Sequence, residues 1–154
     1  MIVGLGNPVL ADDSVGLHVA AELRRRLAGR NGFTTLELYS GGLLLMEAMA
    51  GHDRAIVIDA MVGGGPAGAI HRLGPEDLPR TRTTNSTHDS SLPVALELGR
   101  AAGLRLPADI RIWAIEAADV ETFSQRLTPQ VALASRRVVG EVMRELAEPP
   151  RTSP

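Results

Sequence analysis

The unbroken aliphatic run Ala55-Ile56-Val57-Ile58, followed directly by Asp59, constrains the fold more than any other stretch of this chain. A strand exposed on one side alternates apolar with polar residues, whereas a continuous apolar run of strand length is covered on both faces. The run thus fits a central parallel strand, and strands alternating with helical segments along the chain imply a three-layer α/β/α sandwich.

The flanking segments supply the layers. Ile2 to Leu5 is a short apolar strand broken by the turn-forming Gly6-Asn7-Pro8. Val15, Val19, Leu23 and Leu27 then form the apolar stripe of an amphipathic helix from Asp13 to about Leu27. Asp12 or Asp13 can cap its start, and Arg24 to Arg26 lie near its end, where cations suit the helix dipole. After Asn31-Gly32, Phe33 to Tyr39 alternates as a second strand, with Phe33, Thr35, Glu37 and Tyr39 on one face. Gly41-Gly42 opens a nearly all-apolar helix, Leu43 to Ala50, expected to be buried and to stop at Gly51.

Beyond Asp59, Gly63-Gly64-Gly65-Pro66 is a loop and Ala69 to Leu73 a short strand. From Gly74 to Thr87 apolar periodicity vanishes; so long a stretch without structure in a small domain is usually functional. It leads into His88. Ser90 to Ala102 reads as a helix that tolerates Pro93 in its first turn, and Ile110 to Ile115 as a fifth strand. Thr128-Pro129 reads as the N-cap and first residue of a last helix reaching about Ala147. The expected organisation is one domain, residues 1–147, with a frayed tail, 148–154.

If strand 1 lies between strands 2 and 3, strand order reverses between 1 and 3 and a crevice opens at their carboxyl ends. Asp13 follows one of those ends and Asp59 stands on the other. Gly4-x-Gly6 invites a dinucleotide reading, but position 9 is Val and no acid cleanly ends strand 2, although Glu37 is near. Asp59 is either a cap for the loop after its strand or a metal ligand or acid/base group, because a buried carboxylate needs a partner. Asp13 could equally be a plain helix cap, while the adjacent Asp12 faces elsewhere and takes a capping or supporting role. His88 gains weight by ending the long loop; His18, His52 and His71 read as structural. A triad of Ser86 or Ser90 with His88 and Asp59 lacks the Gly-x-Ser-x-Gly elbow. Asp13, Asp59 and His88 make an oxygen/nitrogen donor set suited to a divalent transition metal with open positions for water, substrate or partner.

Composition narrows the alternatives. With no cysteine, disulfides, thiolate zinc sites and a Cys nucleophile are excluded. A net charge of −2 and 3% aromatics offer nucleic acid neither a field nor stacking surfaces. All 16 basic residues are Arg; Arg24-Arg25-Arg26, Arg80, Arg82, Arg136 and Arg137 could form an anion-binding surface, but chain-wide residue usage explains them as well. No apolar run approaches the roughly 20 residues of a membrane span, and no secretory signal precedes Ile2. The expectation is a cytoplasmic protein with no membrane or nucleic-acid partner.

The chain resembles the nickel-iron hydrogenase maturation endopeptidases. The tracts that carry the resemblance are Gly4-Leu5-Gly6-Asn7 with Leu10-Ala11-Asp12-Asp13-Ser14-Val15-Gly16, and Gly51-His52-Asp53-Arg54-Ala55-Ile56-Val57-Ile58-Asp59-Ala60. Gly65-Pro66-Ala67-Gly68, Ser86-Thr87-His88, and Ile115-Glu116 with Leu127-Thr128-Pro129-Gln130-Val131 follow in order, at family-like spacing. The resemblance implies removal of the C-terminal extension of a hydrogenase large-subunit precursor after nickel insertion. The nickel is then supplied by the substrate rather than permanently bound, the precursor is the partner, and the enzyme is a monomer. The family's metal-recognising acid, strand-3 aspartate and histidine fall on Asp13, Asp59 and His88, implying catalytic and metal-contacting roles for all three. Also implied is a five-stranded mixed sheet of order 2-1-3-5-4, with strand 4 antiparallel at an edge.

Two departures mark this chain. Most relatives carry Asp-Glu-Gly where it has Asp12-Asp13-Ser14, which retracts the second carboxylate by about 1.5 Å, one C–C bond. Glu37-Leu38-Tyr39-Ser40 replaces the Asp-Gly-Gly-Thr common after strand 2. The competing functions are a non-catalytic factor that senses nickel and precursor, and a metal-dependent hydrolase of small peptides.

Overall fold

The computed structural model describes residues 1–78 and 92–147. In chain order these form β1 (Ile2–Leu5), a 3-10 turn (Asp12–Ser14), α1 (Val15–Arg26), β2 (Thr35–Leu38), α2 (Gly42–Met49) and β3 (Arg54–Met61). There follow β4 (Ile70–Leu73), a second 3-10 turn (Pro75–Asp77), α3 (Leu92–Ala101), β5 (Asp109–Glu116) and α4 (Pro129–Ala147). The strands make one sheet of order β2-β1-β3-β5-β4, in which only β4 runs antiparallel, against β5. This is the order the resemblance implies.

β3 is central, as its apolar run demands, and its alternating side chains serve two cores. Ile56, Ile58 and Ala60, with Trp113 and Ile115 of β5, pack against Val15, Val19 and Leu23 of α1 and Val131, Val138 and Val142 of α4. Ala55 and Val57, with Val3, Leu5, Ile110 and Ile112, pack against Leu45 and Met49 of α2 and Leu92 and Leu96 of α3. Asp59 therefore points to the α2/α3 side. α1 lies unusually close to the sheet: a Cβ on Gly16 would stand 2.2 Å from the Leu5 carbonyl oxygen and 2.4 Å from that of Ile58. The glycines around β1 thus serve helix–strand approach rather than phosphate binding.

Several expectations are corrected. β3 extends through Asp59 to Met61, because its pairing with β5 runs on to the rung Met61↔Glu116. β2 is shorter than expected, since the four residues of β1 pair only Thr35 to Leu38, leaving Phe33 and Tyr39 outside the ladder. α2 is buried on one face only: Leu45, Met46 and Met49 are inside but Leu43 and Leu44 are exposed. Its buried face packs into the core it shares with Leu92 and Leu96 of α3.

Of the arginines that could form an anion-binding surface, Arg24, Arg25 and Arg26 are ion-paired within the protein, whereas Arg136 and Arg137 are exposed on α4. Arg25 and Arg26 each pair with Glu22 at 2.7 Å, and Arg24 with Glu37 at 2.9 Å. The buried Glu145 near the end of α4 accepts Arg54, Arg72 and Arg111, tying that helix to β3, β4 and β5. Arg80, Arg82 and the tail 148–154 lie outside the described residues. No described helix is long and apolar enough to cross a membrane.

Candidate active site

β2, β1, β3 and β5 are mutually parallel, so their carboxyl ends share one edge of the sheet, and strand order reverses between β1 and β3. After β1 the chain turns sharply. Gly6 has φ 152°, and a Cβ there would lie 2.0 Å from the Asp13 carbonyl oxygen, so the chain folds back on itself only without a side chain. The Asn7 N–H donates to Asp13 Oδ2 at 3.1 Å and approaches the Asp13 carbonyl oxygen at 3.3 Å. The half-buried Asp13 carboxylate is thereby pinned at the carboxyl end of β1.

Asp59 stands on β3 one residue beyond Ile58, the last partner of β1 in that pair of strands. Its carboxylate is buried, and Oδ1 accepts the Ala60 N–H at 2.8 Å. It lies within the strand and is not a cap for the loop beyond. The structure thus brings Asp13 and Asp59 to the two sides of the reversal. His88 lies outside the described residues. Among the described residues no group of three or more His, Asp or Glu is arranged to hold a metal ion.

The expected capping of α1 by Asp12 or Asp13 is not what forms: the N-cap is Ser14, without a side-chain capping bond. Asp12 is instead fully buried and joins distant segments. Its Oδ2 accepts the N–H groups of Ala118 (2.9 Å) and Asp119 (3.0 Å) and the Thr128 hydroxyl (2.9 Å), while Oδ1 accepts the Thr128 N–H (2.7 Å). The carboxylate so placed sits just before α4, where negative charge is favoured by the helix dipole. Next to it the loops after β1 and β5 form a short ribbon, with Ala11 N–H on Thr122 O (3.0 Å) and Ser124 N–H on Val9 O (3.1 Å). No local pattern could reveal this role, because the partners are 106 to 116 residues away.

Glu116, in one of the tracts shared with the family, carries no local sequence signal for its role. It is buried at the end of β5, with Oε2 accepting the Gly63 N–H at 3.0 Å and Oε1 lying 3.6 Å from His71 Nε2. It therefore anchors the glycine loop that leaves β3 just beyond Asp59. Elsewhere, a cavity of about 480 Å³ lined by Arg72, Arg111, Trp113 and Glu145 centres on the ion pairs that hold α4 to the sheet.

The chain matches the hydrogenase maturation protease family over residues 17–145, a span that includes Asp59 and begins after Asp13. A curated relative, the hydrogenase expression/formation protein HupD of Bradyrhizobium diazoefficiens, is 27% identical over 133 residues, covering 85% of this chain and 69% of the relative. The hydrogenase 2 maturation protease of Escherichia coli is 29% identical over 105 residues, covering 67% of this chain and 64% of the relative. The chain thus spans roughly two thirds of these relatives' length. The hydrogenase maturating endopeptidase HybD from E. coli superposes with a TM-score of 0.76 at 22% identity, covering 95% of this chain and 90% of that one. The NiFe hydrogenase maturation protease HycI from Thermococcus kodakarensis gives 0.74 at 19% identity, covering 96% and 91%. At such identities the superpositions speak for the fold. The family match, over most of the chain, carries the assignment: this protein belongs to the hydrogenase maturation protease family.

Proposed function

We propose that this chain is the endopeptidase that removes the C-terminal extension of a nickel-iron hydrogenase large-subunit precursor, and that it recognises nickel already inserted in that substrate. The observation that supports the reading is the pair Asp13 and Asp59, flanking the strand-order reversal at the carboxyl edge of a maturation-protease fold. Ligands bind open α/β sheets at such a reversal.

The chemistry follows from the residue types. Asp13, Asp59 and His88 offer carboxylate oxygen and imidazole nitrogen to the precursor's nickel, docking the scissile bond beside the crevice. Hydrolysis adds the hydroxyl of water to the carbonyl carbon and a proton to the departing nitrogen. A carboxylate within hydrogen-bond reach of that water can take its proton and return it to the leaving amine. The enzyme holds no metal of its own and works as a monomer in the cytoplasm.

The test is coexpression with candidate precursors, comparing wild type with Asp13→Asn, Asp59→Asn and His88→Gln by intact mass of the large subunit. Shortening by wild type and its loss in the variants is the expected result. Shortening by all three variants would remove the site assignment. A stable complex without cleavage would make the protein a nickel- and precursor-sensing factor, and cleavage of free peptides unrelated to hydrogenase would make it a small-peptide hydrolase.

A further inference from the structure

The rim of the crevice is apolar. The loops that follow the carboxyl ends of β1, β2, β3 and β5 display Val9, Tyr39, Val62 and Phe123, and the first turn of α2, just after β2, adds Leu43 and Leu44. Phe123 is 83% exposed, Val62 70% and Tyr39 61%. Single exposed apolar residues need no explanation, but a set of them around one crevice marks an interaction site. The aromatic residues sharpen the point. The chain has one Trp, one Tyr and two Phe; it buries Trp113, yet displays its Tyr and one Phe at this edge. Aromatic side chains are enriched in protein–protein contacts and at the positions that dominate their energy.

The backbone that presents Phe123 is held in place before any partner arrives. It bridges Leu10, and its neighbours are bonded on both sides, Thr122 through its carbonyl to Ala11 N–H and Ser124 through its N–H to Val9 O. Fixing the backbone that carries a contact residue lowers the ordering cost of association. β2 and β5 are three strand spacings apart, about 14 Å, so these residues stand on both sides of the reversal between β1 and β3.

Position and charge decide what covers it. At the surface of the same edge stand Asp13, Asp119 and Glu121. A second copy of the chain would set these acids against their equivalents and close the crevice; like charges across an interface are costly. A folded substrate that brings a cation and an apolar surface to the same place meets neither objection.

We infer that Val9, Tyr39, Leu43, Leu44, Val62 and Phe123 form the docking surface for the folded body of the large-subunit precursor, seating an apolar patch beside its scissile segment. The inference rests on the proposed function for the partner's identity, and makes part of recognition independent of nickel.

The experiment titrates the purified, nickel-free precursor of the host's hydrogenase, which is not cut under the proposed function, with wild type, Phe123→Ser, Tyr39→Ser and Leu98→Ser. Leu98 is an exposed residue of α3 outside the rim and serves as the control. Phe123→Ser and Tyr39→Ser should each weaken binding about tenfold, and Leu98→Ser should not. With nickel-loaded precursor the two rim variants should raise KM in the same proportion while kcat stays within about twofold. Unchanged binding by both rim variants, or equal loss in Leu98→Ser, overturns the docking surface. So does a wild-type dimer that Phe123→Ser dissociates, because the rim would then be covered by a second copy. Rim-dependent binding without cleavage of the nickel-loaded precursor upholds the docking surface and refutes the proposed endopeptidase.

Discussion

Replacing Asp12 by alanine should destabilise the protein by about 4 kcal/mol, although Asp12 is not among the residues proposed to act on substrate. Its carboxylate accepts the N–H groups of Ala118, Asp119 and Thr128 and the Thr128 hydroxyl. A hydrogen bond to a charged acceptor contributes about 1.5–3 kcal/mol, so a plain sum would exceed 6 kcal/mol. That sum is too large, because Ala118 is exposed and Asp119 partly so, and water can replace the carboxylate on their N–H groups at about 1 kcal/mol each or less. The two bonds to Thr128, with the favourable charge at the start of α4, account for the remaining 2–3 kcal/mol. Asp12→Asn keeps one acceptor oxygen but turns an NH2 towards donors, and should cost about 2 kcal/mol. Thr128→Ala removes the hydroxyl bond alone, about 1 kcal/mol, and a double-mutant cycle with Asp12→Ala should return a coupling near 1 kcal/mol. The readout is urea unfolding followed by fluorescence of Trp113, the sole tryptophan, which is buried under α4. A cost below about 1 kcal/mol for Asp12→Ala, or no measurable coupling to Thr128, would refute the role assigned to this carboxylate.

Three further outcomes follow from the same geometry. Gly16→Ala places a Cβ 2.2 Å from the Leu5 carbonyl oxygen and should cost at least about 3 kcal/mol, whereas Gly140→Ala, with open space around its Cβ within α4, should stabilise by about 0.5–1 kcal/mol; paired urea midpoints check both. Glu145→Ala removes the partner shared by Arg54, Arg72 and Arg111, but Asp109 still pairs with Arg54 and Arg111, so it should cost only about 1–2 kcal/mol by urea unfolding. Asp119 is held below the ordinary carboxylate range by the Thr122 side chain first, then by the N–H groups of Thr122 and Glu121. The unfolded chain therefore binds more protons between the two pKa values. The stabilisation by Asp119 is fully present above the ordinary value of 3.8 and is lost as pH falls through the lower folded value, and Asp119→Asn should flatten that acid-side slope in urea unfolding repeated across pH.

Local sequence determined where the layers lie. Ala55 to Ile58 must be covered on both faces and is the core of β3; the stripe Val15, Val19, Leu23 and Leu27 lies in the α1/α4 core; Thr128-Pro129 marks the start of α4. The placement of Asp13 after β1 and of Asp59 on β3 was equally legible, because a carboxylate next to an apolar strand stands out in one dimension. The sheet order came from resemblance of many tracts together, since no single segment states which strand it pairs with. Tertiary structure alone decided the rest. Asp59 lies inside β3 and not at its end because β5 prolongs the pairing, and α2 buries only Leu45, Met46 and Met49, the side it turns to the core shared with α3. Asp12 binds Thr128 and not its own helix because the loops after β1 and β5 meet at one edge of the sheet. Periodicity reports backbone conformation and burial within a few residues, whereas the partner of a buried carboxylate is set by which distant strands end side by side.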